Sequence, residues 1–157
     1  MRKLLLLLLL GLRLLGSAYA KGPVDEIVIQ GSGLGHTIEI RDRKMLEALD
    51  PWNGGFFDLQ RGPVTAPSDR GPVYEVLFYM KWKGRHSNFD RGNLKLIYNV
   101  LYRPGSDGGA GYIYLPGKDD KYSVNLGTII RENDDGKWHQ SSAKLDSAIK
   151  RALTGLP

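Results

Sequence analysis

Two neighbouring segments, VYEVLFYMKWK (residues 73–83) and NLKLIYNVLYR (residues 93–103), carry bulky apolar residues at both odd and even positions. Side chains alternate between the two faces of a strand, so strands of this composition have to be covered on both sides. In the first, Tyr74, Val76, Phe78, Met80 and Trp82 share one side while Leu77 and Tyr79 lie on the other. The connection GRHSNFDRG is full of residues that supply turn geometry, which makes the pair consecutive antiparallel strands at the centre of a sheet.

The rest of the chain extends the same pattern. VDEIVIQ, GSGLG and HTIEIRD read as a strand, a glycine loop and a second strand with Ile38 and Ile40 on one face. Further strands are expected around Tyr112–Leu115 in GYIYLPG and over residues 121–131 in KYSVNLGTIIR, separated by the turn-rich PGSDGGAG and PGKDD. In DRKMLEALD, Asp42 is a helix N-cap, Met45, Leu46 and Leu49 form an apolar stripe, and Pro51 is a stop. The closing SSAKLDSAIKRALTG places Leu145, Ala148, Ile149, Ala152 and Leu153 on one helical stripe, with Ser141 or Ser142 at the start and Gly155 past the end. The fold class expected is α+β: an antiparallel β-meander of about five to six strands, with a C-terminal amphipathic helix and a short N-terminal helix packed on it.

Ahead of these elements, MRKLLLLLLLGLRLLGSAYA has a basic start, a leucine-rich run, and Ala18 and Ala20 before Lys21. It reads as a Sec-type signal peptide over residues 1–20, leaving a single α+β domain over residues 21–157; the alternative is retention as an uncleaved N-terminal anchor. Removing Arg2, Lys3 and Arg13 leaves 19 basic against 17 acidic residues, a net +2 rather than the +5 of the whole chain. Apolar runs after Lys21 are too short for the roughly 20 residues that span a bilayer, so no transmembrane segment is expected after cleavage. The chain has no cysteine, which excludes a thiolate nucleophile, cysteine-ligated metal and a lipobox lipid anchor. A secreted or periplasmic location follows.

The chemistry-bearing motifs are weak. GSGLGH lacks the third glycine of the dinucleotide fingerprint at the right position and is followed by a strand, where a phosphate site needs a helix N-terminus. ENDDG aligned on the EF-hand glycine puts Arg131 and Ser142 where carboxylates belong. No cofactor and no metal site is expected. His36, His86 and His139 lie in or beside presumed turns without ligand spacing. His86 near Asp90, with Ser87 between, has the residue types of acid–base chemistry, but no G-x-S-x-G elbow frames a serine.

Aromatic residues carry more information. Fourteen follow the leader: three Trp, four Phe and seven Tyr. Trp52, Phe56, Phe57, Tyr112, Tyr114 and Trp138 lie outside the strongest core positions, and aromatic faces bind sugars, peptides and quaternary amines. Trp52, Phe56 and Phe57 fall in a proline- and glycine-rich stretch between Pro51 and Pro72 that reads as a long ordered loop. The structural alternative is that these three plug one end of the core and that Trp138 packs under the C-terminal helix. Lys81, Lys83, Arg85, Arg91, Lys95 and Arg103 gather on two adjacent strands, a patch suited to anionic envelope polymers or lipid headgroups. A net +2 is too small for a nucleic-acid footprint, so no nucleic-acid partner is expected.

The blocks PWNGGFFD, YEVLFY, GYIYLPG and TIIRENDDGKW, with the closing helix, resemble those of uncharacterised small secreted bacterial proteins across most of the mature chain. The resemblance implies export and one domain, and no activity. The expected function is that of an exported binding or accessory module of the cell envelope or extracellular space. The expected binding surface comprises Trp52, Phe56 and Phe57, with Arg91, Trp138 and His139, and the expected partner is an envelope polymer, a glycan or another secreted protein. The alternative is a small secreted hydrolase acting on envelope glycan or peptide through His86 with Asp90 or another carboxylate. A third possibility is an inhibitor-like protein that pairs through an exposed strand edge.

Overall fold

The computed structural model describes residues 23–31, 33–53, 55, 61–67, 71–85, 87–121 and 134–155. β-Branched and aromatic residues build six strands: β1 (Glu26–Gly31), β2 (Ile38–Ile40), β3 (Tyr74–Lys81), β4 (Leu94–Arg103), β5 (Tyr112–Leu115) and β6 (Lys137–Gln140). They form one antiparallel sheet in the order β2-β1-β3-β4-β5-β6. From β3 onward the sheet is a meander. The expected simple meander fails at its start, because β1 pairs with β2 on one side and with β3 on the other. The β1–β2 hairpin is turned outward, and the long connection after β2 has to return across β1 before β3 begins.

The last strand also differs from expectation. β6 is the short segment KWHQ, which follows a polar turn and was not expected as a strand. The strand expected over residues 121–131 lies outside the described residues beyond Lys121.

Alternation sorts the sheet into two faces. Ile27, Ile29, Val76, Phe78, Val100, Tyr102, Ile113 and Leu115 lie on one face and are fully buried in a single cluster. The helix α1 (Arg43–Ala48) and the helix α2 (Ala143–Thr154) supply Leu46, Leu145, Ala148 and Ile149 to the same cluster. Asp42 Oδ1 accepts the Met45 N–H at 3.0 Å at the head of α1, and Ser142 Oγ accepts the Leu145 N–H at 3.1 Å at the head of α2. Each satisfies a backbone donor that has no partner inside its helix. α2 ends at Gly155 in the left-handed conformation. Burying each large side chain of this cluster stabilises the fold by about 1.5–3 kcal/mol, before the entropy of ordering it.

The opposite face holds a smaller apolar cluster of Val28, Leu77, Tyr79 and Leu96. A bulge makes this possible. Phe78 pairs with Tyr98 and Tyr79 with Leu96, so Ile97 is an extra residue in β4. The insertion reverses the parity of β4, sending Tyr98 and Ile97 to the helix-covered face and Leu96 to the other. Among the described residues, no helix is long and apolar enough to cross a membrane.

Candidate functional site

Of the six residues expected to form one binding surface, the four that are described, Trp52, Arg91, Trp138 and His139, are not brought together. Trp52 sits in a single 3-10 turn, Pro51–Asn53, where Asp50 Oδ1 accepts its N–H at 2.9 Å. Its ring packs against the helix-covered core, 6.3 Å from the Tyr98 ring centroid. Phe56 and Phe57 lie outside the described residues. Trp138 and His139 are successive residues of β6 and therefore point to opposite faces. His139 is fully buried on the helix side, opposite Ile113, with Nε2 3.2 Å from the Asp134 carbonyl oxygen. Trp138 lies on the other face, so it does not pack under the C-terminal helix.

Arg91 is held at the far edge of the sheet. Its Nη1 donates to Glu26 Oε1 at 2.6 Å and its Nη2 to Glu39 Oε1 at 2.5 Å. Arg41 donates to the same two carboxylates at 2.9 and 3.2 Å. Two guanidinium groups thus flank Glu26, whose side chain is only 2 % exposed, and a buried charge needs such pairing. The Arg91 hydrogen bond and its positive charge hold the Glu39 carboxyl below its usual range, and the Glu39 hydrogen bond raises the Arg91 guanidinium. Between β1 and β6 lie four strand spacings, about 19 Å, so Arg91 and Trp138 belong to different sites.

Sequence reasoning singled out Tyr112, Tyr114 and Trp138 as aromatics but did not join them. The β5–β6 register does: Tyr114 stands directly opposite Trp138, and Tyr112 opposite Gln140. Tyr114 and Trp138 rings meet at 5.3 Å and 45°, a tilted aromatic pair. Arg103, the partner of Tyr112 in β4, lays its guanidinium 5.7 Å from the Trp138 ring centroid and donates to the Pro67 carbonyl oxygen at 3.2 Å. All four side chains are half-buried. They form a row of two tyrosines, a tryptophan and an arginine on the face away from the helices. The Val64 N–H donates to the Trp138 carbonyl oxygen at 2.8 Å, so a passing segment covers part of the β6 edge.

A hollow lies at each end of this row. At one end, about 790 Å³ is lined by Tyr114, Lys118, Asp119, Asp120, Asp135 and Lys137, among others. The Tyr114 hydroxyl donates to Asp120 Oδ2 at 2.9 Å, and burial together with that bond raises the phenol above its ordinary value. At the other end, about 590 Å³ is lined by Arg61, Gln140, Ser142, Asp146 and Ser147, with the backbone of residues 108–110. Arg61 donates to Gln140 Oε1 across this hollow.

Asp146 is spent on structure. Its Oδ1 accepts the Tyr102 hydroxyl at 2.5 Å and the Gly111 N–H at 3.0 Å, while Oδ2 pairs with Lys150 at 2.7 Å. A side chain at residue 111 would sit 2.5 Å from Asp146 Oδ1 and 2.7 Å from the Tyr102 ring, so the clamp requires glycine there. Burial, then the bond to Asp146, pushes the Tyr102 phenol far up. Of the acid–base pair considered from sequence, His86 lies outside the described residues. Asp90 accepts the backbone N–H of Ser87 at 2.6 Å and of Leu96 at 2.8 Å, which fixes the β3–β4 connection. Among the described residues, no group of three or more His, Asp or Glu side chains is placed to hold a metal ion. Comparison of the chain with protein families, with curated proteins and with solved structures finds no match.

Proposed function

We propose that the chain is an exported binding or accessory module and that its ligand surface is the β5–β6 corner. The observation that carries this reading is the row Tyr112, Tyr114, Trp138 and Arg103, half-buried on one face and flanked by two polar hollows. Flat aromatic faces take up the apolar C–H faces of sugar rings, and the surrounding carboxylates, amide and guanidinium groups suit their hydroxyls. The ligand class that fits is an envelope glycan. In this reading the short N-terminal helix and α2 occupy one face of the sheet and leave the other to the ligand. The basic start, the leucine run and the Ala18 and Ala20 pair of residues 1–20 support a secreted or periplasmic location.

The carboxylate nearest His86 in sequence for the hydrolase alternative, Asp90, is engaged by two backbone donors. The binding reading is therefore preferred. Titration with N-acetylglucosamine oligomers, followed by tryptophan fluorescence and by amide chemical shifts, tests it. Shifts centred on residues 112–114 and 137–140, lost in Trp138→Ala while the fold is kept, are the expected result. No response, or a response that survives Trp138→Ala, would remove the corner as the site.

A further inference from the structure

The β3–β4 connection carries a charge that the rest of the chain does not share. Between Lys81 and Lys95 there are five cations, Lys81, Lys83, Arg85, Arg91 and Lys95, against the single carboxylate of Asp90. This segment is +4, whereas the remaining residues after the leader sum to −2. Arg91 is committed to Glu26 and Glu39. Lys83 and Arg85 are exposed and make no ion pair among the described residues. Lys81 is 74 % exposed, with Asp25 at 3.9 Å.

An aromatic residue accompanies these cations. Phe89, 43 % exposed, is the exposed large hydrophobic residue of the described chain, and it lies at the tip of this connection. Trp82 stands at its base, with Lys95 Nζ 4.3 Å above its ring. The tip is built, not loose. Trp82 N–H donates to the Asn93 carbonyl oxygen at 2.9 Å, and Arg91 and Leu94 exchange two backbone bonds around a tight turn with Gly92 at φ +57°.

The base of the hairpin is tied to the head of β1. The Asp25 N–H donates to the Tyr79 carbonyl oxygen, and the Lys81 N–H to Asp25 Oδ2, so the chain enters β1 beside the base of this hairpin.

We infer that the β3–β4 tip is a membrane contact: Phe89 enters the headgroup region of an anionic bilayer while Lys83, Arg85 and Lys95 pair with lipid phosphates. An interfacial aromatic beside several cations gains from apolar burial and from the negative surface at once. A soluble polyanion would use the cations and leave Phe89 without a role.

The test is co-sedimentation of the full chain with vesicles of phosphatidylcholine, with and without phosphatidylglycerol. The leader stays in place throughout, so its own contribution cancels between variants. Lys83→Ala with Arg85→Ala removes two exposed cations and is expected to weaken binding to the anionic vesicles by about 30-fold, at about tenfold per 1.4 kcal/mol. Phe89→Ser, also at an exposed position, is expected to weaken it several-fold, and binding of the double cation variant to neutral vesicles should change little. Unaltered binding of the double variant to anionic vesicles overturns the inference. So does an equal loss by the double variant on neutral vesicles, or polyphosphate binding that needs Lys83 and Arg85 when vesicle binding does not.

Discussion

On the helix-covered face, β1, β3, β4 and β5 contribute Ile27, Ile29, Val76, Phe78, Val100, Tyr102, Ile113 and Leu115, all apolar or aromatic. On the other face the same strands contribute Glu26, Val28, Gln30, Glu75, Leu77, Asn99 and Tyr114, in which apolar and polar residues are mixed. Polar groups on this second face are tied to one another: Gln30 donates to Glu75 Oε2 at 2.7 Å, Lys121 to Glu75 Oε1 at 3.4 Å, and two arginines flank Glu26. A helix stripe offers few hydrogen-bond partners, so the face beneath it is mostly apolar, and the buried His139 of β6 meets a backbone carbonyl. The face without helices can hold ion pairs and half-buried aromatics. Both surfaces proposed for recognition draw on this second half of the molecule or on its loops.

The largest effect belongs to the helix-covered face. Phe78→Ala is expected to cost about 4 kcal/mol by removing a fully buried ring and leaving a cavity beneath Tyr98, 5.7 Å away. Urea unfolding of the variant measures this. A loss below about 1 kcal/mol would mean that this face is not the main core, and the contrast between faces would collapse.

Next comes the charged edge. Glu26→Gln keeps the shape of the buried side chain and removes the charge that Arg41 and Arg91 pair with, at an expected cost of about 2 kcal/mol. The figure is set below that for a fully enclosed pair because Arg91 and Arg41 are 38 % and 66 % exposed. The same edge predicts an acid response. Glu39 is depressed in the folded chain, so the stability it adds is present above its unfolded value near 4.5 and is lost as pH falls through the lower folded value. Arg91→Ala should flatten the acid side of a stability–pH curve. An unchanged curve would show that the pairing contributes nothing in solution.

How much of this the sequence revealed depended on the range of the interaction responsible. The C-terminal helix was legible because its stripe, its Ser142 cap and its Gly155 end are all local signals within one segment. The first five strands were legible for the same reason: each is a dense run of β-branched or aromatic residues. β6 was not, because KWHQ has four residues, none of them β-branched, and it is a strand only because Tyr112–Leu115 pairs with it. The bulge at Ile97 was hidden too, since LKLIYNV reads equally well as an uninterrupted strand. Arg91 was assigned to recognition because its partner Glu26 is 65 residues away in sequence. The row of Tyr112, Tyr114, Trp138 and Arg103 spans three strands and needed the register to assemble it.

A smaller effect is expected at the Asp146 clamp. Tyr102→Phe removes one buried hydrogen bond to Asp146, at an expected cost of about 1.5 kcal/mol, since the carboxylate keeps the Gly111 N–H and Lys150. The Tyr102 phenol is raised in the folded chain, so its contribution is fully present below the ordinary tyrosine value of 10.0 and is lost progressively above it. The wild-type chain should therefore lose stability in alkali more steeply than Tyr102→Phe. Parallel alkaline curves would separate this clamp from the stability of the α2 corner.

The smallest effect tests whether the aromatic row is a surface or a further piece of core. Tyr114→Phe removes a solvent-near hydroxyl bonded to Asp120 and keeps the ring against Trp138, so unfolding free energy should change by only about 0.5 kcal/mol. Glycan response should change more than stability does, because the hydroxyl borders the hollow that contains Asp119, Asp120 and Asp135. Asp120 also supplies an independent reading. It helps to raise the Tyr114 phenol, after burial, so Asp120→Asn should bring the tyrosine titration, followed by ultraviolet absorbance, back toward 10.0. If Tyr114→Phe instead costs as much as Phe78→Ala, the row is structural in the way the helix-covered face is, and the two faces differ in composition but not in role.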